Sequence, residues 1–121
     1  MQRLIDELLA LSERIRAVAI YRDGDLVSRI RPGAPELWSP HTDRYEELLV
    51  NPALVTLIQQ RGKLDRGGAR YALIRYDKFF RLLVPIDQGH VSVCIEPSGQ
   101  PLMLAGPILQ AVDRVVDPPD N

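Results

Sequence analysis

Positions 4, 5, 8, 9, 12 and 15, occupied by Leu4, Ile5, Leu8, Leu9, Ser12 and Ile15, recur at the spacing of one helical face. Asp6, Glu7, Glu13 and Arg14 lie mostly away from that stripe. The pattern predicts an amphipathic helix over about residues 2 to 15. The period then shortens. Ala17-Val18-Ala19-Ile20-Tyr21 is a β-prone apolar run, and Leu26-Val27-Ser28-Arg29-Ile30 mixes β-branched and polar residues. Between them stands Arg22-Asp23-Gly24-Asp25. An Asp-Gly pair suits the positive φ angles of a tight turn, so the two runs are expected to form a hairpin.

Pro32, Gly33, Pro35 and Pro40 mark residues 32 to 41 as a loop, because proline fixes φ and removes a donor. A second helical region follows. Asp43 with Glu46 resembles a capping box, with Ser39-Pro40 as an earlier start. Tyr45, Leu48 and Leu49 supply its apolar side. Asn51-Pro52 interrupts the pattern, with Asn51 able to cap and Pro52 able to open a new segment. Leu54, Val55, Leu57 and Ile58 carry it on to about Arg61, where Gly62 can end it. One kinked helix or two consecutive ones are expected.

Residues 62 to 68 read as a polar, glycine-rich loop. Three strands follow, Arg70 to Tyr76, Phe79 to Ile86 and His90 to Glu96, joined by Asp77-Lys78 and Asp87-Gln88-Gly89. Connections this short exclude parallel crossovers, so the strands form an antiparallel meander. Pro85 belongs at a strand end or bulge. After the Pro97–Pro101 turn, Ile108, Leu109, Val112, Val115 and Val116 give a last helical stripe, with Pro107 near its start. The order is α-β-β-α-β-β-β-α. The expected fold class is α/β in the α+β sense: a single five-stranded antiparallel sheet sandwiched by helices. Residues 2–116 are expected to form one domain, and residues 117–121 a frayed tail.

Composition removes several function classes. The 121 residues are 45% hydrophobic and 26% charged, with a net charge of −1. No global positive field exists to hold a nucleic acid. No apolar stretch approaches the roughly 20 residues of a membrane span, and Met1 to Ile15 lacks the apolar core of a signal peptide. The lone cysteine, Cys94, fits a reducing, cytoplasmic setting.

Candidate chemistry is thin. On a strand, His90, Ser92 and Cys94 point to one face, but His90 and Cys94 are then about 13 Å apart at ~3.3 Å per residue, too far to share a zinc ion. His41 lies in a loop distant in sequence. Cys94 between Val93 and Ile95 reads as a small core residue, not a nucleophile. The Gly62-Lys63 step and the Gly67-Gly68 pair lack the spacing of a phosphate loop. No carboxylate pair is singled out by an apolar setting, and no nucleophile-elbow motif is present. Neither metal, cofactor nor catalysis is expected. One asymmetry remains. Arg61, Lys63, Arg66, Arg70, Arg75, Lys78 and Arg81 face only Asp65 and Asp77 within residues 61 to 81. This stretch reads either as a docking site for an acidic partner or as a solvated strand face. Trp38, the only tryptophan, is expected to cap the core from its loop, with an exposed binding anchor as the alternative.

The chain resembles the roadblock / dynein light-chain superfamily, whose architecture is shared with longin-type and profilin-like folds. The resemblance is carried by the helix Leu4–Ile15 leading into Ala17-Val18-Ala19-Ile20-Tyr21-Arg22-Asp23-Gly24-Asp25-Leu26-Val27-Ser28, and by Val91-Ser92-Val93-Cys94-Ile95-Glu96-Pro97 leading into a terminal helix. It covers about Gln2 to Val116. It implies a non-catalytic scaffold or regulator, often of Ras-like small GTPases, that dimerises through its central helix and the strand after it, here residues 43 to 61 and 70 to 76. The partner-binding residues expected are Leu54, Ile58, Arg70, Tyr71, Leu73 and Arg75. Separately from the resemblance, Tyr71, Leu73 and Ile74 on an exposed edge ask for a partner strand.

Two other readings compete. A five-stranded sheet with flanking helices also suits a small-molecule sensor of PAS or GAF type, which needs a cavity of roughly 300 Å³ or more with convergent polar groups. A small enzyme would need a pocket near Trp38, His41 or Cys94.

Overall fold

The structure is a computed structural model and describes residues 1–33 and 40–116, with the side chains of Pro40 and His41 excepted. Trp38 and residues 117–121 lie outside the described residues, and with them the core-cap and frayed-tail expectations.

The chain runs α1 (Gln2–Leu11), β1 (Ile15–Arg22), β2 (Asp25–Ile30), α2 (Pro40–Tyr45), a π-helical turn (Glu46–Val50), α3 (Asn51–Asp65), β3 (Ala72–Arg75), β4 (Phe80–Ile86), β5 (Gly89–Ile95) and α4 (Pro101–Val115). The sheet has five antiparallel strands in the order β2-β1-β5-β4-β3. This is the expected α-β-β-α-β-β-β-α fold.

Strand alternation gives the sheet two unlike faces. Val18 and Ile20 of β1, Leu82, Val84 and Ile86 of β4, and Val91, Val93 and Ile95 of β5 join Leu4, Ile5 and Leu8 of α1 and Ala105, Ile108, Ala111 and Val112 of α4 in one apolar core. The intervening positions, among them Ala17, Ala19, Arg81, His90, Ser92 and Cys94, are equally buried but belong to the other face. There the chain from α2 through α3 lies over the sheet.

The turns follow their local chemistry. Asp23 and Gly24 both take positive φ, as the Asp-Gly hairpin requires. Gly89 is needed for a different reason: a Cβ there would stand 1.8 Å from the carbonyl oxygen of Tyr21 on the neighbouring strand. Arg31 ties α1 to the sheet by donating to the carbonyls of Leu9, Ser12 and Ile15, which serve as acceptors at the end of α1 and the start of β1.

Several boundaries differ from the sequence expectation. The first helix stops at Leu11, because Ile15 is taken into β1 opposite Ile95. Asn51 does not cap: its φ of −65° and ψ of −40° are helical, and its N–H bonds to the carbonyl of Glu46 five residues back. Helix α2 begins at Pro40, so His41 lies in a helix and not in a loop. Gly62 does not end α3, which continues to Asp65. It is buried because the chain returns against it, and a Cβ there would meet the Gly68 Cα at 2.8 Å. The third strand is four residues long and leaves Arg70 and Tyr71 before it. Pro85 pairs with His90 beyond the end of β3, where β4 has one strand beside it. Pro107 sits inside α4, whose first residue is Pro101. The carbonyl freed by Pro107 is that of Met103, on an exposed part of the helix where water can serve it.

Candidate functional site

Two features of the α2–α3 side could carry function. The first is a buried ionic cluster. Asp43, Glu47, Asn51 and Val55 are spaced four apart, so one helical side presents them in succession to the sheet. The π turn at Glu46–Val50 keeps Glu46 and Glu47 together near β4. Opposite them, Arg81, Ser92 and His90 project from β4 and β5.

Arg81, fully buried, donates from Nη1 to Glu47 Oε2 at 2.9 Å and to Ser92 Oγ at 2.7 Å. Its Nη2 lies 3.0 Å from Glu46 Oε1 and 3.4 Å from Asp43 Oδ1. The same guanidinium sits over the Phe79 ring, 5.0 Å from its centroid. Glu47, also fully buried, accepts from Asn51 Nδ2 at 2.8 Å and meets His90 Nε2 at 2.8 Å. Burial alone would push the Glu47 carboxyl up. The bonds from His90, the charge of Arg81 and the bonds from Ser92 and Asn51 outweigh that and hold it below its ordinary value. Glu47 is therefore an ionised acceptor spent on internal partners.

Cys94 lies across from Arg81 on the neighbouring strand and is buried. Burial pushes its thiol up to about 12, so it is a thiol and not a thiolate nucleophile. At the edge of the cluster, Tyr76 donates to Glu46 Oε2 at 2.6 Å, and burial with that bond raises its phenol to about 12. No group of three or more His, Cys, Asp or Glu side chains suited to a metal ion occurs among the described residues.

The expectation that no carboxylate pair is raised by an apolar setting is not contradicted, since Glu47 is held low; the unforeseen arrangement is that Asp43, Glu46 and Glu47 surround a buried arginine. The basic stretch is corrected, since Arg81 is inside the protein. The others are outside, where Arg61 and Arg66 pair with the nearby Asp65 and Arg70 pairs with Asp113 of α4. The signal that could have found the cluster was present in the i, i+4 spacing of Asp43, Glu47 and Asn51 and in the shared parity of His90, Ser92 and Cys94.

The second feature is the outer surface of α3 and the β3 edge. Leu57 is 63% exposed and Leu64 79% exposed. Tyr45, Leu49 and Val50, just before α3, are exposed too. At 3.6 residues per turn, Val50, Leu54, Leu57 and Leu64 fall on one flank of the helical segment, with Ile58 between that flank and the sheet. Of the six partner-binding residues expected, Leu54 and Ile58 are half-buried on this helix. Leu73 faces the α1–α4 side, opposite Leu82 and partly packed into that core. Arg75 lies on the same side, its guanidinium 4.7 Å from the Phe80 ring centroid. Arg70 and Tyr71 are exposed just before β3. The helix residues and the strand residues therefore belong to different faces of the sheet, joined at its β3 edge.

No helix among the described residues is long and apolar enough to cross a membrane. No family model matches the chain, and no curated protein sequence matches it. Solved structures do. The chain is similar to the Roadblock/LC7 domain from Streptomyces avermitilis, with TM-score 0.67 and 13% identity over 94% of this chain and 95% of that one. It is similar to the gliding protein MglB from Thermus thermophilus, with TM-score 0.70 and 13% identity over 95% of this chain and 87% of that one. A structure of MglB with a tetrameric arrangement matches with TM-score 0.66 and 14% identity, over 95% and 86% of the two chains.

Proposed function

We propose, from the roadblock fold of this chain and the apolar flank of α3, that it is a non-catalytic protein-interaction module of the cytoplasm, one domain over residues 2–116. It works as a homodimer and regulates a Ras-like small GTPase. The observation that carries the homodimer is the exposure of Leu57 and Leu64 beside an open sheet edge at β3. Contiguous exposed apolar side chains mark interaction surfaces. A two-fold axis at β3 satisfies both edges at once and sets each α3 against its mate. The short strand limits the main-chain contribution to four residues, so the helix side chains supply most of the contact. Non-catalysis is supported by the sealed state of the reactive groups: Glu47 is fully paired and the Cys94 thiol stands at about 12. The GTPase partner follows the fold resemblance alone.

Light scattering on the purified chain tests the dimer. The expected mass is twice the 13.6 kDa of one chain, falling to a monomer in the Leu57→Asp/Leu64→Asp variant with an unchanged circular dichroism spectrum. A wild-type monomer at micromolar concentration would defeat the homodimer. Unchanged nucleotide exchange and hydrolysis by the Ras-like GTPases of the same cell, with dimer present, would remove the GTPase half.

A further inference from the structure

Helix α3 has a second flank. Pro52, Val55, Thr56, Gln59, Gln60 and Lys63 line a cleft of about 390 Å³ between α3 and the sheet, closed below by Tyr21, Ile86, Gly89 and His90. These helix positions recur at the three- and four-residue spacing of one side, centred on a different flank of α3 from Leu54, Leu57 and Leu64, with Gln60 next to Leu64 at the margin between the two. The cleft reaches Tyr21 of β1, whereas none of Leu54, Leu57 and Leu64 lines it. It is therefore separate from the proposed dimer surface and does not rest on that reading.

Its lining is specific in three respects. The base is aromatic: the rings of Tyr21 and His90 stack on each other, 5.5 Å between centroids and 23° between planes, with aliphatic carbon from Pro52, Val55 and Ile86 also in the lining. Its only charged side chain is Lys63, which has no ion-pair partner among the described residues, and no carboxylate lines it. Third, His90 is 1% exposed, yet its Nδ1 finds no hydrogen-bond partner among the described residues. The ionised Glu47 only accepts, so His90 Nε2 carries the hydrogen of that bond. In the neutral ring Nδ1 is then an unused acceptor. Buried polar atoms are ordinarily satisfied, and His90 is a lining residue of the cleft, so a bound group that displaces its ring slightly can supply the missing partner.

We propose that this cleft binds a small planar aromatic acid carrying a ring N–H or hydroxyl. The ring lies along the Tyr21–His90 wall, the carboxylate meets Lys63 at the mouth, and the ligand's donor reaches toward His90 Nδ1 with a small shift of that ring. Gln59 takes no part, because both ends of its amide are bonded to the backbone of Ala69.

The probe is indole-3-acetate, with indole-3-acetamide as the uncharged control, titrated into the full chain and followed by nitrogen-15 and His-ring chemical shifts. Saturable shifts are expected at Tyr21, Val55, Gly89 and the His90 ring, half-complete at about 1 mM or below, the affinity normal for a ligand of that size. The amide should bind about tenfold more weakly, and Lys63→Gln should remove the preference for the acid without changing the unliganded spectrum elsewhere. Thr56→Trp, which covers the mouth from an exposed position, should abolish the shifts. The proposal is overturned by no saturation at about 10 mM probe, by equal binding of acid and amide, or by shifts that survive Thr56→Trp. Because the shifts are residue-specific, they distinguish binding from its absence equally well on monomer or dimer.

Discussion

The two faces of the sheet solve the same burial problem by opposite means. Against α1 and α4 the sheet turns Val18, Ile20, Leu82, Val84, Ile86, Val91, Val93 and Ile95, and the buried polar residues among those described lie on the other face. Against α2 and α3 it turns Arg81, Ser92 and His90 and meets Asp43, Glu47 and Asn51. Area removed from water stabilises the first face at about 25 cal/mol per Å², whatever the pH. The second face removes charges from water, a loss that pairing only offsets when every partner is in place. One half of the protein therefore holds unconditionally, while the other depends on completeness and protonation.

Breaking one partner should have the largest effect. Arg81→Met leaves Glu47 buried without its cation and should cost about 3–5 kcal/mol in urea unfolding. Glu47→Leu leaves Arg81 with Asp43 and Glu46 and should fall at the lower end of that range. The combined Glu47→Leu/Arg81→Met chain should lose less than the sum of the two single losses, because each single variant already breaks the same Arg81–Glu47 pair. On the other face Ile108→Ala should cost about 2–5 kcal/mol, with no second substitution that restores it by charge. Additive losses in the combined variant would mean that the ionic face is held by packing, like its opposite.

Acid should separate the faces next. Glu47 is held below its ordinary 4.5 in the folded chain. Its contribution is thus complete above about pH 4.5, the unfolded value, and is lost as pH falls through the lower folded value. Melting temperature should drop in that acid window for the wild type and for Ile108→Ala in parallel. Glu47→Leu should flatten the drop. An unchanged acid slope in Glu47→Leu would place the titration elsewhere, with Glu96, which bonds to Ser98 and Arg14 and is also held below its usual value, as the next carboxyl to replace.

The apolar face was legible from the sequence and the ionic face was not, for a physical reason. Alternation along β5 and the stripes of α1 and α4 each announce burial locally, since apolar residues at period 2 or 3.6 have no other use. A buried Arg81 has the same local signature as a solvated one, and only the arrival of Glu47 from 34 residues away decides between them. The same holds for Asp43 and Glu46, which suit a capping box in isolation and turn to Arg81 in the fold. Boundaries slipped where a tertiary partner overrode the local pattern: Ile15 left the helical stripe for Ile95, and Gly62 was buried under Gly68 instead of ending its helix. Leu54 and Ile58 announce the apolar flank of α3, but nothing in the local pattern ranks Leu57 and Leu64, more exposed than either, above them. The cleft beside them could not be seen at all, since it depends on the distance between α3 and the β1 side of the sheet.

The smallest expected effect concerns which face opens first. Cys94 lies on the ionic face and is 1% exposed, so Ellman's reagent reaches it only when something lifts. Helix α3 has Asn51, Val55 and Gly62 as its buried residues, whereas α4 buries Pro101, Ala105, Ile108, Ala111 and Val112. Fewer apolar contacts hold α3, so local opening of the α2–α3 side should expose Cys94 more often than global unfolding does. Modification in the native protein is then faster than the urea-derived unfolding equilibrium allows. The raised thiol, at about 12, makes the closed state unreactive, so the measured rate counts openings. Arg81→Met should accelerate it more than Ile108→Ala does, even where the two variants lose equal global stability, because Arg81 joins α2 and the π turn to the sheet and Ile108 does not. Equal acceleration would show that both faces come apart in a single step, and that the contrast between them is chemical without being mechanical.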